Sequence, residues 1–144
     1  MTPLELVDRA LDLLLAKDMA GFAGLWSADG VLEFPFAAPG YPDRVSGRTA
    51  IAQYLRDYPS ILDVREIPER RVHQTVDPAV VIAEFDATGV VVATDSPYRM
   101  RYIAVITVHD NEIHCYRDYW SPLAAAEAMG GSAALTAAFG GSDV

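Results

Sequence analysis

The feature that most constrains this chain is the separation of its two periodicities. Apart from one short strand, apolar residues up to about position 60 recur at spacings of three and four. From Leu62 to Trp120 the spacing falls towards two. Thr2-Pro3-Leu4-Glu5 has the residues of a capping box with proline at the first helical position, and Leu4, Val7, Leu11 and Leu14 then form one apolar stripe. Lys17-Asp18 breaks that helix, and a second helix buries Met19, Phe22 and Trp26. Asp29-Gly30 turns into a strand, Val31 to Phe36, bent by Pro35, and residues 37–43 form a Pro/Gly loop. A third helix runs from Ser46-Gly47 to Tyr58-Pro59 with Ile51, Tyr54, Leu55 and Tyr58 on its apolar side.

Four strands follow, Val64 to Val76, Val80 to Ala93, Tyr98 to Val108 and Glu112 to Trp120. Asp77-Pro78, Asp95-Ser96-Pro97 and Asp110-Asn111 supply the turns. Helices first and antiparallel hairpins after is an α+β order, with helices packed on one face of the sheet. Residues 1–122 are expected to form one domain. Residues 123–144, an Ala/Gly-rich tail, are expected to pack on it or on a second subunit.

Composition excludes several classes of function. Eleven basic residues against twenty acidic ones give a net charge of −9, which repels a phosphate backbone, so no nucleic-acid partner is expected. Apolar runs are too short to span a bilayer, and Glu5, Asp8, Arg9 and Asp12 rule out a signal peptide at the start, so no membrane role is expected. The single cysteine, Cys115, suits a reducing cytoplasm. His109 and His114 flank a turn without a recognised ligand spacing and His73 stands apart, so no metal site is expected. No glycine-rich phosphate loop follows a strand, so no nucleotide cofactor is expected.

Particular segments carry a family resemblance. Leu32-Glu33-Phe34-Pro35-Phe36, the Pro-rich loop, Ser46-Gly47-Arg48 and Ile51-Ala52-Gln53-Tyr54 resemble the corresponding segment of steroid Δ-isomerases and SnoaL-like polyketide cyclases. Tyr116-Arg117-Asp118-Tyr119-Trp120-Ser121-Pro122 resembles the last strand of those isomerases and of the phenazine-biosynthesis A/B proteins. Asp77-Pro78 and Glu84-Phe85-Asp86 also resemble the phenazine proteins. The resemblance implies the cone-shaped fold of the nuclear transport factor 2-like superfamily, a homodimer, and a pocket for a small hydrophobic or aromatic molecule. The isomerases' general base falls on Phe34, their oxyanion tyrosine near Ala10 and their protonated aspartate on Val105. Steroid isomerisation by the usual route is therefore rejected. Asp118 matches the position of the phenazine proteins' functional glutamate and the cyclases' aspartate, while their helix-three histidine falls on Tyr54.

Alternation sets Glu112, His114, Tyr116, Asp118 and Trp120 on one side of the last strand, the side that the resemblance makes concave. A two-residue turn at Asp110-Asn111 pairs His109 with Glu112, and counting outward pairs Thr107 with His114, Val105 with Tyr116 and Ile103 with Asp118. Arg101 then faces Trp120, diagonal to Asp118. Burial among apolar neighbours would raise the Asp118 pKa, and an Arg101 partner would lower it into a plain structural pair. Glu84 and Asp86 either point inward as paired carboxylates or answer Arg99 and Arg101 across the sheet. Trp26, Phe34, Tyr54, Tyr58, Tyr116 and Trp120 are candidate pocket walls. Three functions fit. One is a cofactor-independent isomerase or cyclase with Asp118 as acid/base and Tyr54, His114 or Tyr116 orienting an oxygen. The others are a non-catalytic ligand carrier and a scaffold filled by its own aromatics.

Overall fold

The structure, a computed structural model, describes residues 1–37, 39–131 and 137–138. Its first helix, α1 (Pro3–Leu15), starts as the capping box requires: the Thr2 hydroxyl accepts from the Glu5 N–H at 3.2 Å, and the Glu5 carboxylate accepts from the Thr2 N–H at 2.8 Å. Leu6, Val7, Ala10 and Leu11 are its fully buried face. Each large aliphatic side chain there contributes roughly 2 kcal/mol of transfer free energy. In the short α2 (Met19–Ala23), the Asp18 carboxylate accepts from the Gly21 N–H at 2.8 Å. Trp26 does not close this helix as its spacing implied. It opens β1 (Trp26–Glu33), which therefore begins five residues earlier than expected and ends before Phe34-Pro35.

A three-residue strand, β2 (Arg44–Ser46), pairs antiparallel with β1 and was not anticipated. Gly47, at φ 92°, turns the chain from β2 into α3 (Arg48–Leu55), a conformation that favours glycine. The expected long third helix is in fact two pieces, α3 and α4 (Tyr58–Ile61). The expected strand over 64–76 is likewise two, β3 (Leu62–Glu66) and β4 (Arg70–Gln74). Pro68 lies in the gap, where a residue without an N–H cannot continue a ladder. Both pieces pair with the same long strand, β5 (Val80–Val91). The hairpin of β6 (Ser96–His109) and β7 (Glu112–Tyr119) turns at Asp110 and Asn111, with φ of 51° and 62°, the geometry of a tight primed turn.

Among the described residues seven strands form one sheet, ordered β2-β1-β7-β6-β5-β3 with β4 also on β5. Every pairing is antiparallel except that of β1 with β7. The architecture is thus α+β, with helices against one face of the sheet. Strand β6 shows the division most plainly: Tyr98, Met100, Ala104, Ile106 and Val108 are buried, while Arg99, Arg101 and Ile103 are exposed. After β7, Ser121 caps α5 (Pro122–Ala128) by accepting from the Ala124 N–H at 3.1 Å, and Ala125 is buried. The tail beyond 131 lies outside the described residues, apart from 137–138. None of the described helices is long and apolar enough to cross a membrane.

The register of β7 departs from the expected count. His109 does oppose Glu112, but Val108 then opposes Ile113 and Thr107 opposes Cys115. His114 is an extra residue, a β-bulge, and from there each partner shifts by one: Val105 faces Arg117 and Ile103 faces Tyr119. Before the bulge, Ile113 points into the core. After it, Tyr116 and Trp120 do.

Candidate functional site

A cavity of about 90 Å³ opens between the buried face of the sheet and the helices. Leu14 of α1, Phe22 of α2, Tyr54 and Leu55 of α3 and Tyr58 of α4 close its helical side. Ala125, Ala128 and Met129 of and beyond α5 supply another wall. Phe85 and Ala87 of β5, Tyr98, Met100 and Tyr102 of β6, and Tyr116, Asp118 and Trp120 line the sheet side. This α5 contact accounts for the first part of the Ala/Gly-rich tail.

Of the residues singled out from sequence, Phe34, Tyr54, Tyr58, Tyr116, Asp118 and Trp120 meet at this cavity. The others do not. Trp26 is fully buried behind it, 5.5 Å from the Tyr116 ring and 5.0 Å from Phe22, so it is core. The bulge turns His114 away; its ring lies 5.4 Å from that of His109 instead. Glu84 is exposed and meets His73 at 2.7 Å. Asp86 sits on the outer face between two guanidinium groups, 3.0 Å from Arg99 and 2.9 Å from Arg101. Those two contacts hold its carboxyl below the usual carboxylate range, with Arg101 the stronger influence. Arg101 therefore pairs with Asp86 across the β5–β6 ladder and leaves Asp118 without it. Val105 also faces outward, so it does not occupy the place of an inward acid; Tyr102 and Met100 point there instead.

Asp118 is the one carboxylate on the cavity wall among the described residues. Its Oδ1 is shut off from solvent and has no hydrogen-bond partner among the described residues. Burial in this apolar surrounding pushes its pKa up to about 7, because the charged form loses hydration and gains no counter-charge. A carboxyl balanced near neutrality can both take and give a proton.

Tyrosine hydroxyls surround it. Tyr41 and Tyr54 share a hydrogen bond of 2.8 Å, with Phe34 5.6 Å from the Tyr54 ring and Trp120 5.2 Å from that of Tyr41. Tyr98 and Tyr102, four residues apart on β6, are hydrogen-bonded to each other, and Tyr58 joins them. Burial raises the pKa of each of these phenols, and the Asp118 charge raises them further, so they remain protonated donors. Sequence reasoning missed Tyr41, Tyr98 and Tyr102. The alternation of Tyr98, Met100 and Tyr102 against Arg99 and Arg101 was the signal for two of them. Tyr41 lies in an aperiodic loop that carries none. Among the described residues no three His, Cys, Asp or Glu side chains come together as metal ligands would.

Comparison with known proteins agrees with this architecture. Residues 7–116 match the SnoaL-like domain family. The chain is 41% identical over 128 residues to the uncharacterized protein YesE of Bacillus subtilis (strain 168), covering 89% of this chain and 87% of that one. It is 37% identical over 131 residues to the uncharacterized PhzA/B-like protein PA3332 of Pseudomonas aeruginosa, covering 91% and 92%. A crystal structure of a "Putative Isomerase" from Bacillus subtilis superposes with a TM-score of 0.85 at 40% identity, covering 92% of this chain and 98% of that one.

Proposed function

Because the chain belongs to the SnoaL-like domain family, we propose that it is a small-molecule enzyme, isomerase- or cyclase-like, that moves a proton on a hydrophobic or aromatic metabolite. The observation that carries this reading is the Asp118 carboxyl on the wall of an apolar, tyrosine-lined cavity, its buried Oδ1 without a hydrogen-bond partner among the described residues. In its ionised form Asp118 takes a proton from the carbon beside a carbonyl. The C–H electron pair moves into a new C=C bond and the carbonyl π pair onto oxygen. The Tyr54 hydroxyl donates to that oxygen as its charge develops. The neutral acid then returns the proton to carbon, at the original position or at a second one, and the carboxylate is restored. The cycle closes on one carboxyl and needs no co-reactant. The surrounding aromatic walls exclude water and supply most of the binding.

Acetophenone in D₂O tests this, with exchange of its methyl protons followed by NMR near pH 7.5. Wild-type protein accelerates the exchange, and D118N, which keeps the shape, loses at least about 100-fold of that acceleration. The expected pH dependence rises through the Asp118 pKa of about 7 as the base form appears. If wild-type protein binds the ketone without accelerating exchange, the proton-transfer reading is wrong and a ligand carrier remains.

A further inference from the structure

We propose that the buried part of the ligand is a ring without an anionic group that bears a hydrogen-bond-accepting oxygen, and that Tyr54 and Tyr102 are the side chains that select it. This rests on the reading of the pocket given above and adds the class of molecule. Charge is the first constraint. Among the described residues the cavity wall has no lysine, arginine or histidine, and Asp118 is its only carboxylate. The guanidinium groups next in sequence to the sheet residues of the wall, Arg99, Arg101 and Arg117, do not line it: Asp86 holds the first two on the outer face of β6, and Arg117 on β7 interacts with Tyr119, Cys115 and Glu33. A carboxylate or phosphate entering here would lose its hydration, find no counter-charge and approach Asp118. The buried group is therefore not an anion.

Size is the second constraint. A cavity of about 90 Å³ is of the same order as engineered apolar cavities that accept benzene. One six-membered ring with a short substituent fits that scale. Chemistry is the third. Apart from Asp118, the polar side-chain atoms of the wall among the described residues are tyrosine hydroxyls and the indole N–H of Trp120. Five of the hydroxyls form two bonded groups, Tyr41 with Tyr54 and Tyr98 with Tyr102 and Tyr58, and both groups lie in the field of Asp118. A carbonyl oxygen entering beside either group joins an existing network of O–H dipoles. A hydrocarbon of the same shape displaces hydration from those hydroxyls and offers nothing in return.

Three probes of matched shape separate these terms: acetophenone, its hydrocarbon isostere α-methylstyrene, and benzoate. Binding to the full chain is measured by NMR titration at pH 8, in wild type, Y54F, Y102F and Y119F. Tyr119 packs on Phe36 and does not line the cavity, so Y119F is the control for loss of a tyrosine hydroxyl elsewhere. The ratio of ketone to hydrocarbon affinity removes the different hydrophobicity of the two probes. It falls at least about fivefold in Y54F and in Y102F and is unchanged in Y119F. Benzoate shows no saturable binding. An unchanged ratio in Y54F and Y102F, an equal fall in Y119F, benzoate binding as tight as that of acetophenone, or no acetophenone binding would each overturn the proposal. These are equilibrium measurements. Loss of the selectivity with proton exchange intact sinks the substrate class alone, and selectivity without exchange sinks only the catalysis.

Discussion

Asp118 makes the stability of this protein depend on pH in an unusual direction. Its folded pKa of about 7 lies above the 3.8 of a free aspartate, so between those limits the folded state holds a proton that the unfolded chain has released. Its contribution favours the folded state at low pH and is lost as pH rises through 7. A shift of that size, at 1.4 kcal/mol per pH unit, caps the effect at about 4 kcal/mol, and partial access from the cavity reduces it. Urea unfolding at a series of pH values should show D118N matching wild type near pH 4 and gaining stability over it towards pH 8. Asp86 has the opposite sign. Arg101 and Arg99 depress its pKa, so its contribution is present at neutral pH and lost as pH falls through the folded value. The R99A/R101A double variant is expected to be destabilised more at pH 7 than at pH 3 by the same assay.

At the scale of elements, the tightest joint is between β3 and β5. A Cβ on Gly89 would stand 1.9 Å from the Asp63 carbonyl oxygen, a backbone atom that cannot swing aside. G89A is expected to destabilise by about 2 kcal/mol or more, seen as a lower urea midpoint with the loss of β3 protection in hydrogen exchange. Most elements were legible from local chemistry: the Thr2–Glu5 box, the Asp110-Asn111 turn and the alternation along β5 and β6 each act over a few residues. The division at Pro68 and the short β2 were less so, because three residues such as Arg44–Ser46 carry too little pattern to register as a strand. The candidate site was legible only in part. Asp118, Tyr54, Tyr58 and Trp120 sat at readable positions, but the bulge at His114 shifted the count on which the Arg101 pairing rested. A bulge is settled by the partner strands on both sides, and β7 is flanked by β6 and, in parallel, by the distant β1.

For the molecule as a whole, the balance of charge works against compactness. A formal net charge of −9 on 144 residues repels itself; that figure includes Asp118, whose share of the repulsion is complete only above pH 7. The melting temperature is therefore expected to rise when sodium chloride goes from about 20 to about 150 mM, over which the Debye length shortens to about 8 Å. The rise should be larger at pH 8 than at pH 5, measured by calorimetry. The raised pKa of Asp118 and the lowered ones of Asp86 and Asp63 act in opposite directions, so the stability maximum is expected on the mildly acidic side of neutrality.

The extra residue at His114 divides β7 into two phases that answer to different demands. Ahead of it, Ile113 seals the core; behind it, Tyr116, Asp118 and Trp120 face the cavity. Removing His114 would restore an unbroken ladder and force one phase to invert. Either Ile113 would turn outward or the acid would.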